Sequence, residues 1–280
     1  MIEFSNQSYT AASVAVSLSV VSLFSAHSVQ AATLAQSTGG FAFANFSHTP
    51  LLTASSTKTF TRTISGSTDG SSSVAIATAD AIFDAFPTAQ AINTISNTTF
   101  TTNNLSSALA ESEASIIGDF VIAPEEAFSF DFFGFIDLLS VTEDPDETAT
   151  AALGTQYSIF STEEDDTAVS EIDFLNLFGQ INTPEGADDL GVTSSEAVTI
   201  DFLEIDNTTG PDKSIESISI QVAGSYERVF DKATNLTLAE LKIGTAESGT
   251  SQEVPEPASA LVWMLGMGGA MLLARQRAIL

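Results

Sequence analysis

Apolar and small polar residues alternate with a period of two along much of the chain. Phe41-Ala42-Phe43-Ala44-Asn45-Phe46 and Lys58-Thr59-Phe60-Thr61-Arg62-Thr63-Ile64 are early examples. That period sends successive side chains to opposite faces of an extended backbone, so it predicts half-buried strands. Heavier strand candidates follow at 114–122, 127–141, 155–160, 169–182, 197–205, 214–230 and 236–243. Acidic turn segments separate several of them, at 143–147, 163–166, 188–189 and 206–212. Residues 66–73 read as a turn and 98–107 as a loop, while 80–86 fit a helical turn or a strand equally. Strands at this density, rich in β-branched and aromatic side chains, predict an all-β fold. The expected form is an antiparallel β-sandwich, jelly-roll-like or immunoglobulin-like.

One pattern recurs within the strands: apolar, Asp, apolar, apolar, any residue, apolar. Its copies start at Phe130, Ile136, Ile172 and Ile200. In each, the apolar phase slips by one position. A slip exchanges the two faces of a strand unless a bulge absorbs the extra residue or both faces are covered. Bulged or doubly covered strands are therefore expected there.

Both ends of the chain break the alternation. Residues 11–24 form an apolar stretch interrupted only by serines, the length of a signal-peptide core. Small residues around Val29-Gln30-Ala31 place the expected signal-peptidase cut after Ala31. Residues 1–10 depart from the usual pattern, because they carry Glu3 and no Lys or Arg. At the other end, Val254-Pro255-Glu256-Pro257 precedes an uncharged run of 17 residues, 258–274, then Arg275-Gln276-Arg277. As a helix that run would be roughly 25 Å long, near the short limit for crossing a bilayer. Arg275 and Arg277 would remain on the cytoplasmic side.

A Pro-Glu-Pro triplet, a hydrophobic helix and terminal arginines, in that order, resemble the PEP-CTERM sorting signal of exported bacterial proteins. The resemblance covers only residues 254–280. It implies recognition by an exosortase-type membrane enzyme, with Pro255, Glu256 and Pro257 as the sorting motif and Arg275 and Arg277 as the basic stop. It implies a cytoplasmic-membrane intermediate and then a place at the cell surface or beyond. The family's association with exopolysaccharide makes polysaccharide a candidate partner. The expected organisation is a signal peptide at 1–31, an acidic all-β body at 32–243, a linker at 244–253 and the sorting tail at 254–280.

Charge narrows the function classes. The 150 residues between Arg62 and Lys213 contain 28 carboxylates and no Lys or Arg, and the chain's formal net charge is −28. Nucleic acid is excluded as a partner, since phosphate binding needs a basic face. The chain has no Cys, so disulfides, thiolate metal sites and a Cys nucleophile are excluded.

Outside the signal, His48 is the sole histidine, and no Gly-x-Ser-x-Gly elbow accompanies it. It reads as a surface or turn residue. Clustered oxygens suit calcium. The candidate ligands are Asp144, Asp146 and Glu147; Glu163, Glu164, Asp165 and Asp166; and Asp206 with Asn207 and Asp212. None of these clusters fits the EF-hand loop. The sequence reads best as a non-enzymatic surface or extracellular-matrix protein, a candidate binder of polysaccharide or calcium. The alternatives are a secreted carboxylate-dependent glycoside hydrolase, or a surface protein permanently anchored by its tail.

Overall fold

The computed structural model describes residues 33–65, 72–85, 88–102, 106–144, 146–163, 168–184, 186, 188–210 and 214–250. The expected signal peptide and sorting tail, and the candidate ligands Glu164, Asp165, Asp166 and Asp212, lie outside them.

Twelve strands occupy the described chain. They are β1 (Thr33–Ala44), β2 (Leu52–Ile64), β3 (Ser73–Asp84), β4 (Gln90–Thr101), β5 (Ser107–Ile122) and β6 (Glu126–Val141), then β7 (Glu147–Glu163), β8 (Ser170–Thr183), β9 (Asp189–Ser194), β10 (Val198–Thr209), β11 (Ile215–Phe230) and β12 (Thr234–Thr250). They form two six-stranded antiparallel sheets. Sheet A runs β10-β11-β6-β1-β4-β3, and sheet B runs β2-β5-β12-β7-β8-β9. The inner faces of the two sheets enclose a common core, which makes the body an all-β sandwich. The edge strands carry charges that discourage edge-to-edge pairing: Asp80 and Asp84 on β3, Lys58 and Arg62 on β2, Asp189 on β9, and Asp201, Glu204 and Asp206 on β10.

The core is graded from one end to the other. At one end Phe41, Phe43, Phe120, Phe128, Phe130, Tyr157 and Tyr226 are fully buried and interlock edge-to-face or stacked. At the other end the inner faces carry small and polar residues. There Asn97 Nδ2 donates to Ser37 Oγ at 3.1 Å, and Thr33 Oγ1 donates to Glu147 Oε2 at 2.5 Å.

The strands differ from the sequence expectation at several places. β4 continues through Thr101 where a loop is expected, β7 begins at Glu147 rather than near residue 155, and β10 extends to Thr209 through an expected turn. Residues 244–250, expected as the start of a linker, continue β12 to Thr250. The end of β10 is an exposed sheet edge, whereas the β4, β7 and β12 stretches are poor in large apolar residues because they face the small, polar end of the core. Ala149, Ala151, Thr99, Thr101, Ala246 and Ser248 are all fully buried there. A strand between two others needs no large side chains, because its ladder bonds and close packing hold it. Conversely, β2 is exposed along nearly its whole length instead of half-buried, since it lies at a sheet edge.

The four Asp-centred copies resolve in two ways. The two in β6 keep an unbroken register against β1 and β11, with Asp131 and Asp137 on the outer face. Their outer face is itself half-covered, so both phases of apolar residue find contacts. The other two contain bulges. In β8 the register jumps across Ile172, and in β10 Asp201 is the extra residue. The β10 bulge brings Thr199 against Gly224, where a Cβ would lie 2.0 Å from the Thr199 carbonyl oxygen. Only glycine permits that approach.

Candidate functional site

Strand alternation decides where each candidate ligand goes. Asp146 N–H donates to Asp144 Oδ1 at 3.0 Å, closing the tight turn before β7. Glu147, the next residue, points into the core and is 1% exposed. The three side chains therefore do not gather around one point. Asp206 is exposed on β10, paired with Ser219, and Glu163 ends β7. Among the described residues, no three His, Asp or Glu side chains converge to hold a metal ion.

His48 lies in the loop after β1. Its Nδ1 is 2.8 Å from Ser47 Oγ and its Nε2 is 3.2 Å from Glu126 Oε2. A Ser, a His and a Glu thus stand in a row, but Ser47 Oγ also accepts the Ser129 N–H at 2.9 Å. Ser47 N–H donates in turn to the Ser129 carbonyl at 2.9 Å. The row clips this loop to the start of β6. The contact with His48 holds the Glu126 carboxyl below its usual range.

Among the described residues, a surface concave enough to receive a ligand lies on the outer face of sheet B. Outward-facing residues of β2, β5 and β12 enclose a cleft of about 230 Å³ there. Phe60 and Ile243 supply apolar walls, and Lys58, Glu111, Glu113 and Thr245 supply polar ones. The registers explain the arrangement: Lys58 and Ile243 flank Glu113 on β5, and Phe60 and Thr245 flank Glu111. On the same face, Ile243 joins Leu241 and Ala152 in a second small apolar cluster. Phe60 is 48% exposed although it is large and apolar. Sequence reasoning names Phe60 as a strand residue but not as a site residue. The available signal was a large aromatic between two cations, Lys58 and Arg62, on an otherwise Thr-rich strand.

One row further along the same face is Glu247. Burial raises its carboxyl above the usual range, Arg62 opposes that shift, and Glu111 adds to it. On sheet A, burial likewise raises Asp137, against the hydrogen bond donated by Ser219 at 2.7 Å. Both groups bind a proton more tightly folded than unfolded. Their contribution therefore favours the fold below the ordinary carboxylate pKa and fades as pH rises through the raised values. Self-repulsion of the acidic surface has the same sign. The Tm is expected to be higher at pH 5 than at pH 8. Combining Asp137→Asn with Glu247→Gln should shrink that difference, as a thermal melt series would show; an unchanged difference would refute the assignment.

Compared with known proteins, the chain matches no family model, no characterised protein and no solved structure.

Proposed function

We propose that this chain is an exported, non-enzymatic surface or matrix protein whose acidic β-sandwich binds a polysaccharide along the outer face of sheet B. The cleft around Phe60 carries the reading. An exposed aromatic ring beside an apolar wall suits the apolar face of a sugar, and flanking Lys and Glu side chains suit its hydroxyls. The chain's charge of −28 repels anionic polymers, so the ligand class is a neutral polysaccharide. Delivery to that site rests on the resemblance of the tail to the exosortase sorting signal. The mass of the mature C-terminus distinguishes a processed tail from a retained anchor.

The test is retardation in native gels cast with soluble neutral glucans, mannans or xylans. Phe60→Ala is expected to weaken binding about tenfold, which corresponds to about 1.4 kcal/mol. It should leave stability within about 0.5 kcal/mol of the wild type, because so exposed a ring contributes little to the core. Equal retardation of variant and wild type would remove the cleft from consideration.

One observation favours the hydrolase alternative: Glu111 and Glu113 share the cleft. Glycosidases place two carboxylates on either side of the scissile bond. Here both project from the same strand, two residues apart, and Lys58 is the cross-strand neighbour of Glu113. That one-sided placement suits holding a sugar better than cleaving it. Reducing-sugar release by the wild type, lost in Glu111→Gln, would reverse the order of the two readings.

A further inference from the structure

Two charged side chains are buried in the middle of the sandwich. Glu240 and Lys242 sit two residues apart on β12, so both project inward, and both are 0% exposed. Facing them from β4 in the other sheet is Asn93, also 0% exposed. Glu240 bridges the other two. Its Oε1 accepts Lys242 Nζ at 2.9 Å and Thr155 Oγ1 at 2.7 Å. Its Oε2 accepts the side-chain amide of Asn93. Lys242 Nζ lies 3.3 Å from the Asn93 backbone carbonyl and 5.7 Å from the centre of the Phe41 ring. Asn93 Oδ1 is buried with no hydrogen-bond partner among the described residues.

From this juxtaposition we infer that Lys242 and Asn93 are joined by an intramolecular isopeptide bond, formed without any cofactor and promoted by Glu240. A buried ammonium–carboxylate pair is costly to keep charged, and transfer of the proton from Lys242 to Glu240 leaves both neutral. Burial holds Lys242 below the usual lysine range, which favours the free amine. The amine nitrogen attacks Asn93 Cγ, and an Nζ–Cγ bond forms. The Cγ–Nδ2 bond breaks as Glu240 delivers a proton to Nδ2 and takes one from Nζ. Ammonia leaves, and nothing is oxidised or reduced. Glu240 is placed for this shuttle because one oxygen contacts the incoming nitrogen and the other contacts the departing one. Holding the groups together inside the fold supplies the high effective concentration that an amine attacking an amide needs. Exclusion of water protects the product from hydrolysis. The bond would tie the central strand of sheet B to sheet A, a covalent staple in a chain that has no Cys.

The test is digestion of the full chain under denaturing conditions with a protease that cuts after Asp and Glu, followed by mass spectrometry. The expected product is a branched species joining residues 85–111 to residues 241–247. Its mass equals the sum of the two peptides less one ammonia, and fragmentation places the branch at Asn93 and Lys242. Glu240→Gln and Lys242→Arg should each abolish it. Recovery of the two wild-type peptides separately, at unmodified mass, would overturn the bond. So would an ammonia loss confined to the Asn93 peptide, which marks cyclisation of the Asn itself. Persistence of the branch in Glu240→Gln would overturn the role of Glu240. The wild-type digest decides the bond even if a variant fails to fold.

Discussion

Replacing Phe130 with alanine is expected to lower the unfolding free energy by about 3–5 kcal/mol, the range for emptying a fully buried aromatic site. The ring is 1% exposed and lies at the centre of the aromatic end of the core. It stacks on Tyr226 with centroids 5.1 Å apart, and packs against Phe43, Phe46, Phe128 and Tyr157 at 5.5 to 5.8 Å. Those five rings come from β1, the loop that follows it, β6, β7 and β11, so no single strand can move to fill the cavity. Domains are stable by only about 5–15 kcal/mol, and this change would remove a large part of that. Urea denaturation measures it: the midpoint should fall sharply while the slope stays near the wild-type value. A loss below about 1 kcal/mol would mean that the rings are not packed as described.

The second large effect is expected at Asp173. Asp173 is in phase with Leu175 and Leu177 on β8, so its carboxylate points to the core face, where it is 3% exposed. It accepts the Tyr226 hydroxyl at 2.9 Å and Arg228 Nη1 at 2.8 Å, binding β8 of one sheet to β11 of the other. Burial, and then the Asp173 charge, push the Tyr226 hydroxyl above its usual range, so it remains a donor. Asp173→Ala strands that hydroxyl inside the core. Arg228 is 42% exposed and can turn to water, which limits the loss to about 2–4 kcal/mol. Asp173→Asn keeps an acceptor for Tyr226 and should cost less than Asp173→Ala. A double-mutant cycle with Tyr226→Phe should show coupling of about 0.5–3 kcal/mol. Additive losses would show that the two residues do not interact.

Much of the strand content is legible locally. In β6 the alternation of Phe128, Phe130 and Phe132 against Ser129 and Asp131 marks an extended segment with one face inside. Slipped apolar phases in β8 and β10 carried the mark of a bulge before any partner strand was known. The signal failed where side chains were small. Residues 147–154 and 244–250 look like connecting chain because Ala, Thr and Gly carry little hydrophobic contrast, yet they form the middle of sheet B. The acidic candidates failed for another reason. Closeness in sequence suggested that Asp144, Asp146 and Glu147 act together, but a strand that starts at Glu147 sends its side chain inward, opposite Thr33.

Taken alone, the sequence determined the all-β class, the excess of negative charge and the absence of thiol chemistry. Each of these is a property of composition or of short-range period. The tertiary structure decided which residues meet. Lys242 and Asn93 are 149 positions apart, and Phe60 reaches Ile243 only across β5. No local pattern encodes those meetings, because they depend on strand order and register within each sheet and on how one sheet rests upon the other.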